Sequence, residues 1–142
     1  MPDIVHKVNI NAGIKKVYDA VATVEGLKGW WTTFIEGESQ EGEKLFFRFP
    51  ETGPVMEVME LLENEFIKWK CIDCVEEWKE TILTFELEEN DGATEVLFAH
   101  SGWEEESGLF AHCNTKWAMF MLSLKLYCET GKGQAFPDDV KI

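Results

Sequence analysis

The chain is poor in positive charge. It sets only 13 Lys and Arg against 27 Asp and Glu, a formal net charge of −14. Nucleic-acid binding rests on basic patches that neutralise phosphates, so that class of function is excluded. Docking on anionic lipid surfaces is excluded for the same reason. Long apolar runs are lacking too. None approaches the roughly 20 residues needed to cross a bilayer. No basic segment followed by an apolar stretch opens the chain, so no secretory leader is expected. G-x-S-x-G, H-E-x-x-H, phosphate-loop and dinucleotide fingerprints are all missing. The sequence therefore calls for no cofactor and no metal.

Cysteine is scarce, with four residues. Cys71 and Cys74 form a single C-x-x-C, and no second pair exists to complete a structural zinc site. On a continuous strand, residues three apart face opposite sides. The two thiols meet only if the strand ends at a turn between them. Cys113 and Cys128 lie too far apart along one helix to bridge. A reducing, cytoplasmic setting is the expectation.

What is present is enough for a core without covalent staples. At 142 residues the chain reads as one domain, residues 1–142. A domain of this size buries roughly 70% of its unfolded surface.

The periodicity predicts strands, then one long helix. Residues 4–10 alternate, as do 44–49, 55–62, 66–73, 80–88 and 94–101, and residues 35–39 form a shorter strand. Pro50 to Pro54 reads as a hairpin loop, 63–65 as a tight turn, and Asn90-Asp91-Gly92 as a hairpin turn. Asn11 is the expected N-cap of a helix over 12–23, and a second short helix spans 24–31. Ser107 is the expected cap of a helix over 109–129. Its stripe is Leu109, Phe110, Cys113, Trp117, Phe120, Met121, Leu124 and Cys128, in steps of three and four. A rod of about 32 Å needs a partner surface of similar length, and only a sheet of the preceding strands supplies one. Short turns make that sheet antiparallel. The fold class is α+β, a curved antiparallel sheet of six or seven strands wrapped around the last helix.

Several segments, taken in order, resemble the family of activator-of-heat-shock-chaperone-ATPase homologues, within the START-like (SRPBCC) superfamily. They are Val8-Asn9-Ile10-Asn11-Ala12 running into Val17-Tyr18-Asp19-Ala20, then Gly29-Trp30-Trp31, then Asp91-Gly92-Ala93-Thr94. His100-Ser101-Gly102-Trp103 follows, and Trp117 through Leu124-Lys125-Leu126-Tyr127 to Glu129-Thr130-Gly131-Lys132-Gly133 closes the match. The resemblance implies a helix-grip fold with a cavity between the sheet and the C-terminal helix. Members of the superfamily bind lipids, sterols or aromatic metabolites, and some catalyse cyclisations.

Strand parity and the helical stripe give the expected lining of that cavity. It comprises Trp30, Trp31, Phe47, Phe49, Met56, Val58, Trp69, Phe85, Phe98, His100, Phe110, Trp117, Phe120 and Met121. The same residues would serve equally as a filled core. An apolar lining with a few polar groups suits a small hydrophobic ligand, lipid, sterol or polyketide-like. His100 is the one imidazole on an inward strand face. It is a candidate acid/base for a cyclase or dehydratase, or a buried histidine bonded to a neighbour such as backbone at Gly102. His6 and His112 read as solvated. Trp103 and the loop to Ser107 form either a gate or a packed connector. A third reading is a protein-interaction module such as a chaperone cofactor, its acidic surface meeting a basic partner. A homodimer patch that includes an exposed Phe46 or Ile82 is a further possibility.

Overall fold

The computed structural model describes residues 1–49 and 52–142. Its elements are β1 (Ile4–Ile10), α1 (Ile14–Ala22), α2 (Val24–Trp30), β2 (Ile35–Gly37), β3 (Lys44–Phe47), β4 (Val55–Leu62), β5 (Phe66–Asp73), β6 (Ile82–Asn90), β7 (Ala93–Ser101) and α3 (Gly108–Thr130). A single 3₁₀ turn, Glu76–Trp78, lies between β5 and β6. The strands make one seven-stranded antiparallel sheet in the order β1-β7-β6-β5-β4-β3-β2. Five consecutive hairpin steps build it, and β1 closes beside β7. This is the α+β helix-grip architecture.

Alternation sets the inward face. Leu83, Phe85 and Leu87 of β6 are buried, as are Val96, Phe98 and His100 of β7. Phe85 pairs with Phe98 across the ladder, and Leu83 pairs with His100. β4 slips register between Val55 and Met56 and again between Val58 and Glu60. Such bulges bend a strand and raise its twist, which curls this end of the sheet toward the helix.

α3 is fixed at both ends. The Phe110 N–H donates to Ser107 Oγ at 3.2 Å, as the capping motif predicts. At the other end Gly131 sits at φ 88°, and its N–H donates to the Tyr127 carbonyl at 2.8 Å. A left-handed C-cap of this kind favours glycine. The helix is tied to the first strand and its following turn as well. Lys125 Nζ donates to the Asn9 carbonyl, and the Asn11 N–H donates to Glu129 Oε2 at 2.7 Å. After α3 the chain turns back beneath α2. Phe136 pairs with Thr32, and Ser123 Oγ donates to the Trp30 carbonyl while accepting from the Gln134 N–H.

Several elements depart from expectation, each for a tertiary reason. Asn11 does not cap α1; Gly13 does, and the helix starts at Ile14. The Asn11 N–H is taken by Glu129, the Ala12 N–H by the Ile10 carbonyl, and the Ala12 carbonyl by Thr94 Oγ1. These bonds hold 11–13 as a turn. Thr23 belongs to α2, where its Oγ1 accepts from the Gly26 N–H at 3.0 Å. β6 starts at Ile82 rather than Glu80, because Glu80 takes φ 67° and its N–H donates to the Cys71 carbonyl. β2 and β3 end earlier than expected, at Gly37 and Phe47. The hairpin loop expected at 50–54 includes Pro50 and Glu51, which lie outside the described residues.

His6 is half-buried rather than solvated, and its Nε2 hydrogen-bonds to the Asn114 carbonyl at 3.0 Å. Phe46 and Ile82 are also half-buried. Cys71 and Cys74 are brought together, with Cα atoms 6.6 Å apart. β5 ends at Asp73, and the bend there returns Cys74 toward Cys71. Opposite-face parity applies only within the strand.

Candidate functional site

The space between sheet and helix is mostly filled. Trp31 stacks on Trp69 at 6.0 Å and meets Phe47 at 4.3 Å. Trp69 meets Phe85 edge-on at 5.2 Å, Phe85 meets Phe98 at 5.1 Å, and Phe98 meets Trp117 at 4.5 Å. Tilted and edge-on pairs are the favoured aromatic geometry. This chain of rings makes a continuous core across the sheet.

At one end the packing opens into a cleft of about 680 Å³. That lies within the roughly 300–1,000 Å³ range of small-molecule sites. Three segments wall it. The turn after β3 supplies Arg48, Phe49, Thr52, Gly53 and Pro54. The β5–β6 connector supplies Asp73, Cys74, Val75 and Trp78. The first half of α3 supplies Leu109, His112, Cys113, Lys116, Trp117 and Phe120, and Trp31 completes the lining. A second hollow of about 430 Å³ lies where α1 and α2 meet the end of α3. It is lined largely by polar residues, among them Lys16, Asp19, Thr23 and Glu25.

Of the residues expected to line a cavity, Trp31, Phe49, Trp117 and Phe120 line this cleft. Trp30, Phe47, Met56, Val58, Trp69, Phe85, Phe98, Phe110 and Met121 lie in the packed core instead. His100 is fully buried and also outside the cleft lining. The physical reason is simple. Parity identifies inward residues, and most inward positions are consumed by mutual packing.

His100 has a full set of partners. Its Nδ1 accepts from the Trp117 indole N–H at 3.2 Å. Its Nε2 lies 2.9 Å from Thr81 Oγ1, which itself donates to the Trp78 carbonyl at 2.5 Å. Because the threonine proton is committed to Trp78, Nε2–H is the donor to Thr81. Gly102 backbone plays no part in these contacts; its N–H donates to Asp3. Burial pulls the imidazole from its ordinary 6.5 down to about 3, so it stays neutral. Both ring nitrogens are occupied. His100 is thus a strut between two cleft walls, α3 through Trp117 and the connector through Trp78.

The connector and helix also bring sulfur to the cleft. Cys74 and Cys113 both line it. Burial pushes the Cys113 thiol up, and the nearby Trp78 indole offsets part of that rise. Burial likewise pushes Cys128 up to about 11. Both free thiols are poor nucleophiles at neutral pH. Among the described residues, no cluster of His, Cys, Asp and Glu is arranged to hold a metal ion.

Sequence reasoning did not place Arg48, Asp73, Val75, Trp78, His112 or Lys116 at a site. Two signals pointed there. Trp78 is a lone aromatic within the charged run Glu76-Glu77-Trp78-Lys79-Glu80. His112 and Lys116 are spaced i, i+4 along one edge of the apolar stripe.

Residues 11–129 match the family model described as Activator of Hsp90 ATPase homolog 1-like protein. Among solved structures, the Aha1 dimer from Colwellia psychrerythraea is 41% identical, with a TM-score of 0.86 over 94% of this chain and 100% of that one. A Staphylococcus saprophyticus protein shares the fold at 19% identity, with a TM-score of 0.77 over 94% of this chain and 97% of that one. So does CalU16 from Micromonospora echinospora at 13% identity, with a TM-score of 0.75 over 98% of this chain and 76% of that one. No curated protein is significantly similar to the chain. With more than half its length matched and a 41% identical relative covered almost end to end, the chain belongs to the Activator of Hsp90 ATPase homolog 1-like family.

Proposed function

We propose that this protein is a cytoplasmic binding protein, its whole length forming one helix-grip domain. It holds a small apolar or aromatic molecule in the cleft between the β3–β4 turn, the β5–β6 connector and the first half of α3. The observation that carries this reading is the cleft itself. About 680 Å³ is walled by Trp31, Phe49, Trp78, Leu109, Trp117 and Phe120, with a few polar groups at its margin. Binding is favoured over cyclase chemistry because the acid/base candidate, His100, is neutral, doubly hydrogen-bonded and outside the lining.

The test is a tryptophan-fluorescence screen against fatty acids, sterols, flavonoids and polyketides. Three of the six tryptophans line the cleft and would report occupancy. A saturable response that Leu109→Arg abolishes, with the fold kept by circular dichroism, supports the reading. No saturable response to any class counts against it.

The protein also pairs with a second copy of itself in this reading. Its 41% identical relative is described as a dimer. α3 offers a surface for it: Leu122 and Leu126 are 60% and 41% exposed, on the side away from the sheet. A helix of a monomer normally turns polar residues that way.

A further inference from the structure

We propose that Cys71 and Cys74 are a reversible thiol–disulfide pair whose redox state sets the affinity of the cleft. The pair is a chemical site of its own, and its effect on affinity rests on the binding role proposed above.

Placement is the first argument. Cys71 is fully buried in β5, whereas Cys74 follows the end of that strand, is half-buried and lines the cleft. Their Cα atoms lie 6.6 Å apart, inside the roughly 4.4–6.8 Å span that a disulfide bridges without backbone movement. Residues three apart on an uninterrupted strand would face opposite sides, so the bend after Asp73 is what makes the pairing possible. In a reducing compartment a bond of this kind is transient and redox-sensing rather than structural.

The second argument is what the pair controls. The connector that follows Cys74 forms one wall of the cleft and carries Val75 and Trp78. Both of its ends converge on Cys71. At the far end the Cys71 N–H donates to the Thr81 carbonyl at 2.9 Å, and the Cys71 carbonyl accepts from the Glu80 N–H at 3.1 Å. At the near end the link is sulfur to sulfur. The middle of the wall is anchored by Trp78, whose ring meets His100 at 4.7 Å and Trp117 at 6.2 Å. The near half is held least: Val75 is 58% exposed, and Glu76 and Glu77 are exposed too. Closing the bond at Cys74 therefore fixes the part of the wall that packing leaves freest. A wall ordered before binding costs the complex less ordering entropy.

The co-reactant is a small-molecule disulfide of the glutathione class. The Cys74 thiolate, reached through the cleft, attacks one of its sulfurs, and the first small thiol leaves. The Cys71 thiolate then attacks the Cys74 sulfur of the mixed disulfide, and the second small thiol leaves. Two protein thiols are oxidised, one small disulfide is reduced by two electrons, and the two protein protons end on the released thiols. In reverse, an incoming thiolate attacks Cys74 and the buried Cys71 is the leaving group.

The test equilibrates the full chain in glutathione buffers of defined composition, alkylates it, and reads it by intact mass and peptide mapping. Both cysteines fall in one tryptic peptide, Cys71–Lys79. The expected result is loss of two hydrogens confined to that peptide, with Cys113 and Cys128 still reduced. The oxidised fraction should follow the square of the thiol concentration over the disulfide concentration. Fluorescence titration with dodecanoate should show about fivefold tighter binding to the oxidised protein. Cys71→Ala, which lies outside the lining, and Cys74→Ser should each erase the difference between buffers, with circular dichroism kept. A glutathione adduct on Cys74 as the end product, a bond from Cys74 to Cys113, or no oxidation in glutathione disulfide alone overturns the inference and leaves the binding role standing. Oxidation of the pair with affinity unchanged does the same. No saturable binding in either redox state overturns the binding role and its redox control together.

Discussion

The Trp117 indole N–H donates to His100 Nδ1 at 3.2 Å, deep between the last strand and the last helix. That bond requires a lone pair on Nδ1, so it exists only while the imidazole is neutral. Burial holds His100 near 3 in the folded protein, against 6.5 in an open chain. Between those values the unfolded chain binds the additional proton. Stability from this group is therefore complete above about pH 6.5 and is lost as the pH falls toward 3. The steepest loss is about 1.4 kcal/mol per pH unit. Urea unfolding at pH 7.5 and pH 5.5 should show the wild type losing about 1 kcal/mol more than His100→Gln. Equal losses in the two proteins would remove the imidazole from the account. Carboxylates titrate in both proteins alike, so the comparison isolates His100.

Gly29 is a point of closest approach between α2 and α3. A Cβ placed there would stand 2.2 Å from Tyr127 Cε1. The Tyr127 ring packs against the core on one side and borders the polar hollow on the other, so relief has to come from its turning toward that hollow. Gly29→Ala should destabilise the fold by roughly 1–3 kcal/mol, and adding Tyr127→Ala should recover part of that loss. Thermal midpoints of the single and double variants check it.

The tail after α3 is held by charge as well as by backbone pairing. Burial raises the Asp139 carboxyl, but Lys116 and Lys141 outweigh it and hold the group below its ordinary range. The contribution is present above that ordinary range and disappears as acid protonates the carboxylate. Asp139→Ala should cost about 1 kcal/mol. It should also speed amide exchange at Thr33 and Phe136, whose N–H groups bond across to the tail and to Trp31.

Self-association through α3 is tested by Leu122→Lys. Sedimentation should show a dimer for the wild type and a monomer for the variant, with unchanged circular dichroism. A dimer unaffected by this substitution would move the interface away from α3.

Much of this fold is legible from alternation. Residues 55–62, 66–73 and 94–101 show it, and all become strands at or within a residue of the expected bounds. The start of α1 is not legible, because the turn at 11–13 is fixed by Glu129 and Thr94, residues over 80 positions away. The cleft was legible only in part. Trp117 and Phe120 announce an inward stripe, but nothing in the stripe says where packing stops. Its opening depends on the connector carrying Trp78 and on the turn after β3, neither of which has a period. The same holds for His100. Its inward position follows from parity, whereas its partners Thr81 and Trp117 follow from register and helix placement.

The central claim is a ligand in the cleft beside α3, and heteronuclear NMR titration with dodecanoate tests it most directly. The account predicts saturable shifts at the Trp78 and Trp117 indole N–H groups and at the backbone of His112 and Lys116. The Trp30 indole, bonded to the Ala20 carbonyl at 2.8 Å within the core, should stay in place. Saturable shifts confined to the outer face of α3 or to the polar hollow beside Tyr127, or no saturable shift at all, would contradict it.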